Sequence, residues 1–147
     1  MANPTDSNSR IFQGSTRVGL RNVGSYQVSG HPYVTASVIP ADNEMRVQFP
    51  YVTKKVTVIL SGSMAAASSG LRIHFVSTSS AGGPESIVDR GHYIRLDSHE
   101  DSMDFDVKCK ELYLSAPGGA AGFQIYASLT NIPTGSMYAM TGSGITE

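Results

Sequence analysis

The chain has no tryptophan, one cysteine among 147 residues, and only 16% charged residues. With a single thiol no internal disulfide can hold the fold. Cys109 stands at an apolar-facing position and reads as a small buried hydrophobe rather than a nucleophile. The 11 basic and 12 acidic residues leave a net charge of −1, and the basic ones, Arg17, Arg21, Lys54, Lys55, Lys108 and Lys110 among them, are dispersed. A nucleic-acid partner needs a basic field that this composition does not supply. No apolar run approaches the roughly 20 residues of a membrane span. The first ten residues also lack the charged start and apolar core of a secretory signal, and position 2 is not the Gly of a myristoyl site. The expectation is a protein made in the cytoplasm, with no membrane partner.

Helical periodicity is missing as well, and what replaces it is alternation. Met103, Phe105, Val107 and Cys109 face one way while Asp104, Asp106 and Lys108 face the other. The same period of two recurs in Met45/Val47/Phe49, Val56/Val58/Leu60, Leu71/Ile73/Phe75 and Phe123/Ile125/Ala127/Leu129. Strands are expected near 17–26, 32–39, 44–49, 54–61, 71–78, 92–96, 102–109, 111–115 and 123–129, each bounded by Gly, Pro, Ser, Asn or Asp. Eight or nine short strands predict an all-β, antiparallel β-sandwich of jelly-roll type. The apolar parity switches between Cys109 and Leu112, as a bulge or a corner between sheets would make it do. Aspartate at Met103 or Phe105 is expected to stop the chain folding, because a charge would enter the core.

Residues 1–16 are polar and aperiodic around two isolated apolar residues, Ile11 and Phe12, and read as an extended N-terminal arm. Residues 17–147 then form one sandwich domain, since about 150 residues suffice for one core. Its linkers, 62–70, 79–91 and 116–122, are rich in Gly, Ser and Ala, and Ile87 and Val88 would anchor the middle one. Gly and Pro break up the C-terminal tail around Met137, Tyr138 and Met140, which reads as an added edge strand or a segment reaching onto a partner.

Reactive motifs are scarce. No two histidines pair as His-x-His and no His-Glu-x-x-His occurs, so a cupin-type or zincin metal centre lacks its ligands. His74 lies opposite its strand's apolar face and reads as a surface or inter-sheet histidine. Asp97, His99 and Asp101 alternate in an acidic stretch and are the weak metal candidates, of a kind that suits calcium or magnesium. The EF-hand order fails there, and a solvated turn between strands explains the same residues. No Gly-x-Ser-x-Gly elbow or phosphate-binding Gly-rich loop is present. The expectation is therefore no enzyme and no cofactor. Pro50, Tyr51 and Tyr138, at a strand end and in the tail, are the positions best suited to contacts outside the domain, with Ile11 and Phe12 of the arm.

Three stretches, 21–30 (RNVGSYQVSG), 47–58 (VQFPYVTKKVTV) and 127–132 (ASLTNI), resemble small virion structural proteins of marine tailed phages of the cyanophage and pelagiphage kind. The resemblance implies a β-sandwich capsid decoration, or cement, protein on the surface of the virion head. Its partner would be the major capsid protein, and it would commonly be a trimer. The family has no catalytic residues to carry over. Two rival readings fit the same composition: a carbohydrate-binding module of a fibre, and a tail or adaptor component.

Overall fold

A computed structural model of the chain describes residues 18–21, 23–26, 31–61, 70–78 and 91–146. The arm 1–16 with Ile11 and Phe12, and Ile87 and Val88, lie outside the described residues. Among the described residues there are eight antiparallel strands: β1 (Pro32–Ile39), β2 (Asn43–Gln48), β3 (Tyr51–Ser61), β4 (Leu71–His74), β5 (Ile94–Leu96), β6 (Ser102–Phe105), β7 (Glu111–Ala116) and β8 (Ala121–Pro133). They form two four-stranded sheets, ordered β1-β8-β3-β6 and β2-β7-β4-β5, packed face to face. The fold is an all-β sandwich, as the alternation predicted.

The pairings have a simple rule. β1 pairs with β8, β2 with β7, β3 with β6, and β4 with β5, so the chain doubles back on itself about its midpoint. Two further ladders, β3 with β8 and β4 with β7, roll this long hairpin into two layers. The turns lock to one another at one end. Asp42 donates its N–H to the Ala116 carbonyl (2.7 Å), and its side chain accepts the Gly118 N–H (2.8 Å).

Inward positions of all eight strands meet in one core. Val56, Val58, Leu60, Leu71 and Leu114 are completely buried, with Phe123 and Ile125 at 1% exposure. Gly122 sits where β8 passes closest to β3: a Cβ there would lie 2.3 Å from the Ser61 carbonyl oxygen. Only a residue without a side chain permits that pairing.

Four expectations are corrected. Residues 17–26 supply no strand among their described positions, for Val23–Tyr26 is a 3-10 turn. It is held by local bonds in place of a ladder: Ser25 Oγ accepts the Gly19 N–H (3.0 Å), and the Tyr26 hydroxyl donates to the Leu20 carbonyl. Val23, at 86% exposure, has no apolar face to join. Second, Met103 is on the inner side, opposite Val58, yet 38% exposed, because β6 is a four-residue strand at the sheet margin. Third, the strand read at 102–109 stops at Phe105, and residues 106–110 cross from one sheet to the other, the second of the two causes, bulge or corner, open for the parity switch. Fourth, the tail adds no strand among the described residues. After a 3-10 turn (Thr134–Ser136), Met137 folds back at 5% exposure onto Val52 and Ile132 of its own sandwich.

At the same end β3 and β8 slip register between Tyr51 and Lys55, and buried parity shifts from Leu129 to Thr130. Two fully buried threonines absorb the irregularity. Thr130 Oγ1 donates to the Val52 carbonyl (2.6 Å). Thr53 Oγ1 donates to the Val107 carbonyl (2.8 Å) and accepts the Cys109 N–H (3.2 Å), tying the bulge to the sheet-crossing corner.

The two aspartate variants should therefore differ. Phe105→Asp is expected to abolish the cooperative melting transition, while Met103→Asp costs at most about 1–2 kcal/mol because its side chain already reaches water. Urea titration of both variants checks this, and equal behaviour would place β6 wrongly. Gly122→Ala is expected to destabilise by more than the few tenths of a kcal/mol of an ordinary surface change, since backbone atoms must move.

Candidate functional site

Alternation along each strand sends every second residue outward, so each sheet presents an outer face, and the two faces differ in chemistry. On the β2-β7-β4-β5 sheet, one row is Glu44, Ser115, Arg72 and Arg95, and the next is Arg46, Tyr113 and His74. These alternate with Met45, Val47, Leu112, Leu114 and Ile73, which pack inward.

His74 is the best-connected member of that face and is completely buried. Its Nδ1 lies 2.8 Å from the Val76 carbonyl, which only accepts, so Nδ1 carries the proton and donates. Nε2 of the neutral ring then accepts the Ser115 hydroxyl (3.1 Å), with a Glu44 carboxylate oxygen 3.9 Å away. Glu44 in turn accepts the Ser77 hydroxyl (2.7 Å) and the Thr78 N–H (2.9 Å). Burial holds the His74 imidazole below its ordinary 6.5 despite the Val76 bond and the nearby carboxylate. Burial pushes Glu44 upward, but the bonds from Thr78 and Ser77 outweigh it and leave the carboxyl below its ordinary 4.5.

Alongside, the Arg46 guanidinium pairs with Glu111, which also accepts the Tyr113 hydroxyl (3.1 Å). Two shallow clefts flank this network. One, of about 250 Å³, is lined by Glu44, Arg72 and Ser115; the other, of about 270 Å³, by Arg46, Lys110 and Glu111.

Ser115 and His74 stand at the separation of a nucleophile and its base. The surroundings serve packing better than catalysis: the ring is sealed from solvent, Nδ1 is anchored by a neutral carbonyl, and the Glu44 carboxylate lies 3.9 Å from Nε2. Cys109 is also buried, within 3.3 Å of Thr53 Oγ1, and burial pushes its thiol up to about 11. Asp97, His99 and Asp101 do share the turn before β6, but each takes a different partner. Asp97 lies 3.7 Å from Arg95, His99 lies 3.7 Å from Glu100, and Asp101 caps the Ser98 N–H (2.9 Å). Among the described residues no three His, Cys, Asp or Glu side chains gather as a metal would require.

The outer face of the β1-β8-β3-β6 sheet is different. Its cross-strand rows run Val34–Tyr126–Thr57–Asp104 and Ala36–Gln124–Ile59–Ser102, with Val38 beside Gly122. Its charges collect on the β3–β6 side, where Lys55 pairs with Asp104 (2.7 Å). The β1–β8 side carries no charged residue, and Val34, Val38 and Tyr126 are 70%, 62% and 44% exposed. Pro50 is exposed, as are Tyr51 and Tyr138. The chain neighbours of the two tyrosines, Val52 and Met137, share one cluster, so both rings sit at the same end of the sandwich. No known protein family matches the chain, and comparison with curated proteins finds no relative.

The His74 network makes stability depend on pH. The unfolded chain takes up the His74 proton first, so stability is complete above 6.5 and falls as pH drops below it; Glu44 extends the loss below 4.5. In His74→Asn the amide can still donate to Val76. It should cost about 1–3 kcal/mol at pH 7 and flatten the decline that begins below pH 6.5. Urea midpoints across pH measure both, and an unchanged slope in the variant would assign the decline to another group.

Proposed function

We propose that this chain is a non-enzymatic structural subunit of a virion, a decoration or cement protein that lies against the major capsid protein and stabilises the head. The observation that carries the reading is the contrast between the two outer faces. One is a charged and polar face in which His74, Ser115, Glu44, Arg46 and Glu111 bond within the sheet, and the other is a neutral, partly apolar sheet face with exposed valines. A broad face without reactive groups suits a protein that works by contact area.

The strand wiring supports the same reading. Pairing first with last, second with seventh, third with sixth and fourth with fifth is how a jelly roll is wound, a fold used by capsid subunits as well as by lectins and cupins. The likeness of residues 21–30, 47–58 and 127–132 to phage virion proteins favours the capsid use among these.

Cementing is additive. Each copy touches several neighbours, each contact buries about 1,200–2,000 Å² at the standard size, and linked contacts reinforce one another through high local concentration. The polar arm 1–16 would add main-chain donors and acceptors to a neighbour's strand edge, with Ile11 and Phe12 filling pockets. Tyr51 and Tyr138 would extend the contact at their end of the sandwich.

Mass spectrometry and electron microscopy of purified particles test the assignment; the chain is expected on the head surface, and its absence from particles would end the reading. Deleting residues 1–16 is expected to leave the melting temperature unchanged and abolish binding to empty heads. Undiminished binding would remove the arm from the mechanism.

A further inference from the structure

An exposed strand edge is a row of unused donors and acceptors, and proteins that stay apart guard such edges with charge, short length or a covering segment. Among the described residues four strands lie at sheet edges. β2 carries Glu44 and Arg46, β6 is four residues long with Asp104, and β5 is three residues long with Arg95. β1 is the exception. It is the longest edge strand at eight residues, has no charged side chain, and among the described residues pairs only with β8. Val34 and Val38 project from it almost unburied, at 70% and 62% exposure.

We propose that β1 is a self-complementary docking edge, which pairs antiparallel with β1 of a second copy about a two-fold axis through Ala36 and joins two four-stranded sheets into one of eight strands. This rests on the reading that the chain acts by lying against other subunits, and identifies one such subunit as a copy of itself.

The register follows from geometry. Residues opposed across a ladder share a face, so the axis must pass through a residue and not between two. Through Ala36, Val34 meets Val38 of the second copy in two symmetric contacts, with Ala36 against its equivalent. On the inner side Thr35 then meets Ser37, a hydroxyl pair of the kind that stabilises ladders. Shifting the axis to Thr35 sets Val38 against Pro32, and shifting it to Ser37 sets Val34 against Pro40, beyond the strand end. Only the Ala36 axis covers both valines with each other.

A strand free of charge pairs with its own image without repulsion, whereas it offers nothing with which to select a differently charged foreign strand. A two-fold contact also closes, using the edge once and stopping filament growth.

The test uses the full chain with Ala36→Cys under mild oxidation. Cys109, at 1% exposure, stays silent. A reducible dimer on a non-reducing gel is expected, while Arg95→Cys on the opposite edge gives none. In light scattering the unmodified chain should dimerise with rising concentration, and Val38→Lys should weaken dimerisation by about tenfold or more while melting like the unmodified chain at concentrations where both are monomeric. No cross-link at position 36, an equal cross-link at 95, or an oligomer indifferent to Val38→Lys each overturns the β1 pairing. Those results leave the capsid reading standing. The chain's absence from particles would remove that reading and leave a β1 dimer standing.

Discussion

The ladder between β3 and β8 is the constraint on which the rest depends. β8 runs for 13 residues and pairs on both sides, with β1 and with β3, so it is the spine of one sheet and faces the other. Phe123, Ile125, Ala127 and Leu129 point inward from it, and the apolar side chains of β7 and β4 close over them. Burying such side chains is worth roughly 1.5–3 kcal/mol each for the larger ones. Register is therefore held firmly, since a slip of one residue would turn the whole row toward water.

The two places where that ladder departs from regularity shape the molecule's ends. At Gly122 the strands come too close for a side chain. At the other end the slip near Thr53 turns Val52 and Ile132 away from the main core and into a second cluster with Met137. Each buried hydroxyl there has a backbone partner, so the irregularity leaves no buried threonine unsatisfied. That end of the sandwich is thus held by a bulge and two threonines.

Outward positions divide between the sheets. On one, Arg46 pairs with Glu111 and His74 bonds Ser115 beside Glu44, while Arg72 lies over the Tyr93 ring. On the other, charge is confined to the Lys55–Asp104 side and β1 is left bare. The two outer faces thus differ: one is charged and largely bonded within itself, and the other leaves Val34 and Val38 open to water.

Alternation in the sequence was enough to determine the class of fold, because a period of two with a dry side admits only a strand. Val47, Val56, Leu71 and Phe123 are buried as their spacing required. The parity switch between Cys109 and Leu112 left a bulge or a corner open, and the structure makes it the crossing from one sheet to the other. Alternation says which side a residue faces but not how much of the other sheet lies above it, which is why Met103 on a marginal strand is half open while Phe105 is covered. It was silent on the His74 network for a related reason. Glu44, Ser115 and His74 are each legible as outward residues, but they lie on strands far apart in sequence, and only the order β2-β7-β4 brings them together. Strand order is decided by which long-range pairings bury the most surface at once, a property of the assembled chain. The uncharged composition of β1 was written in the sequence; that it stands at an edge was decided by the tertiary structure alone.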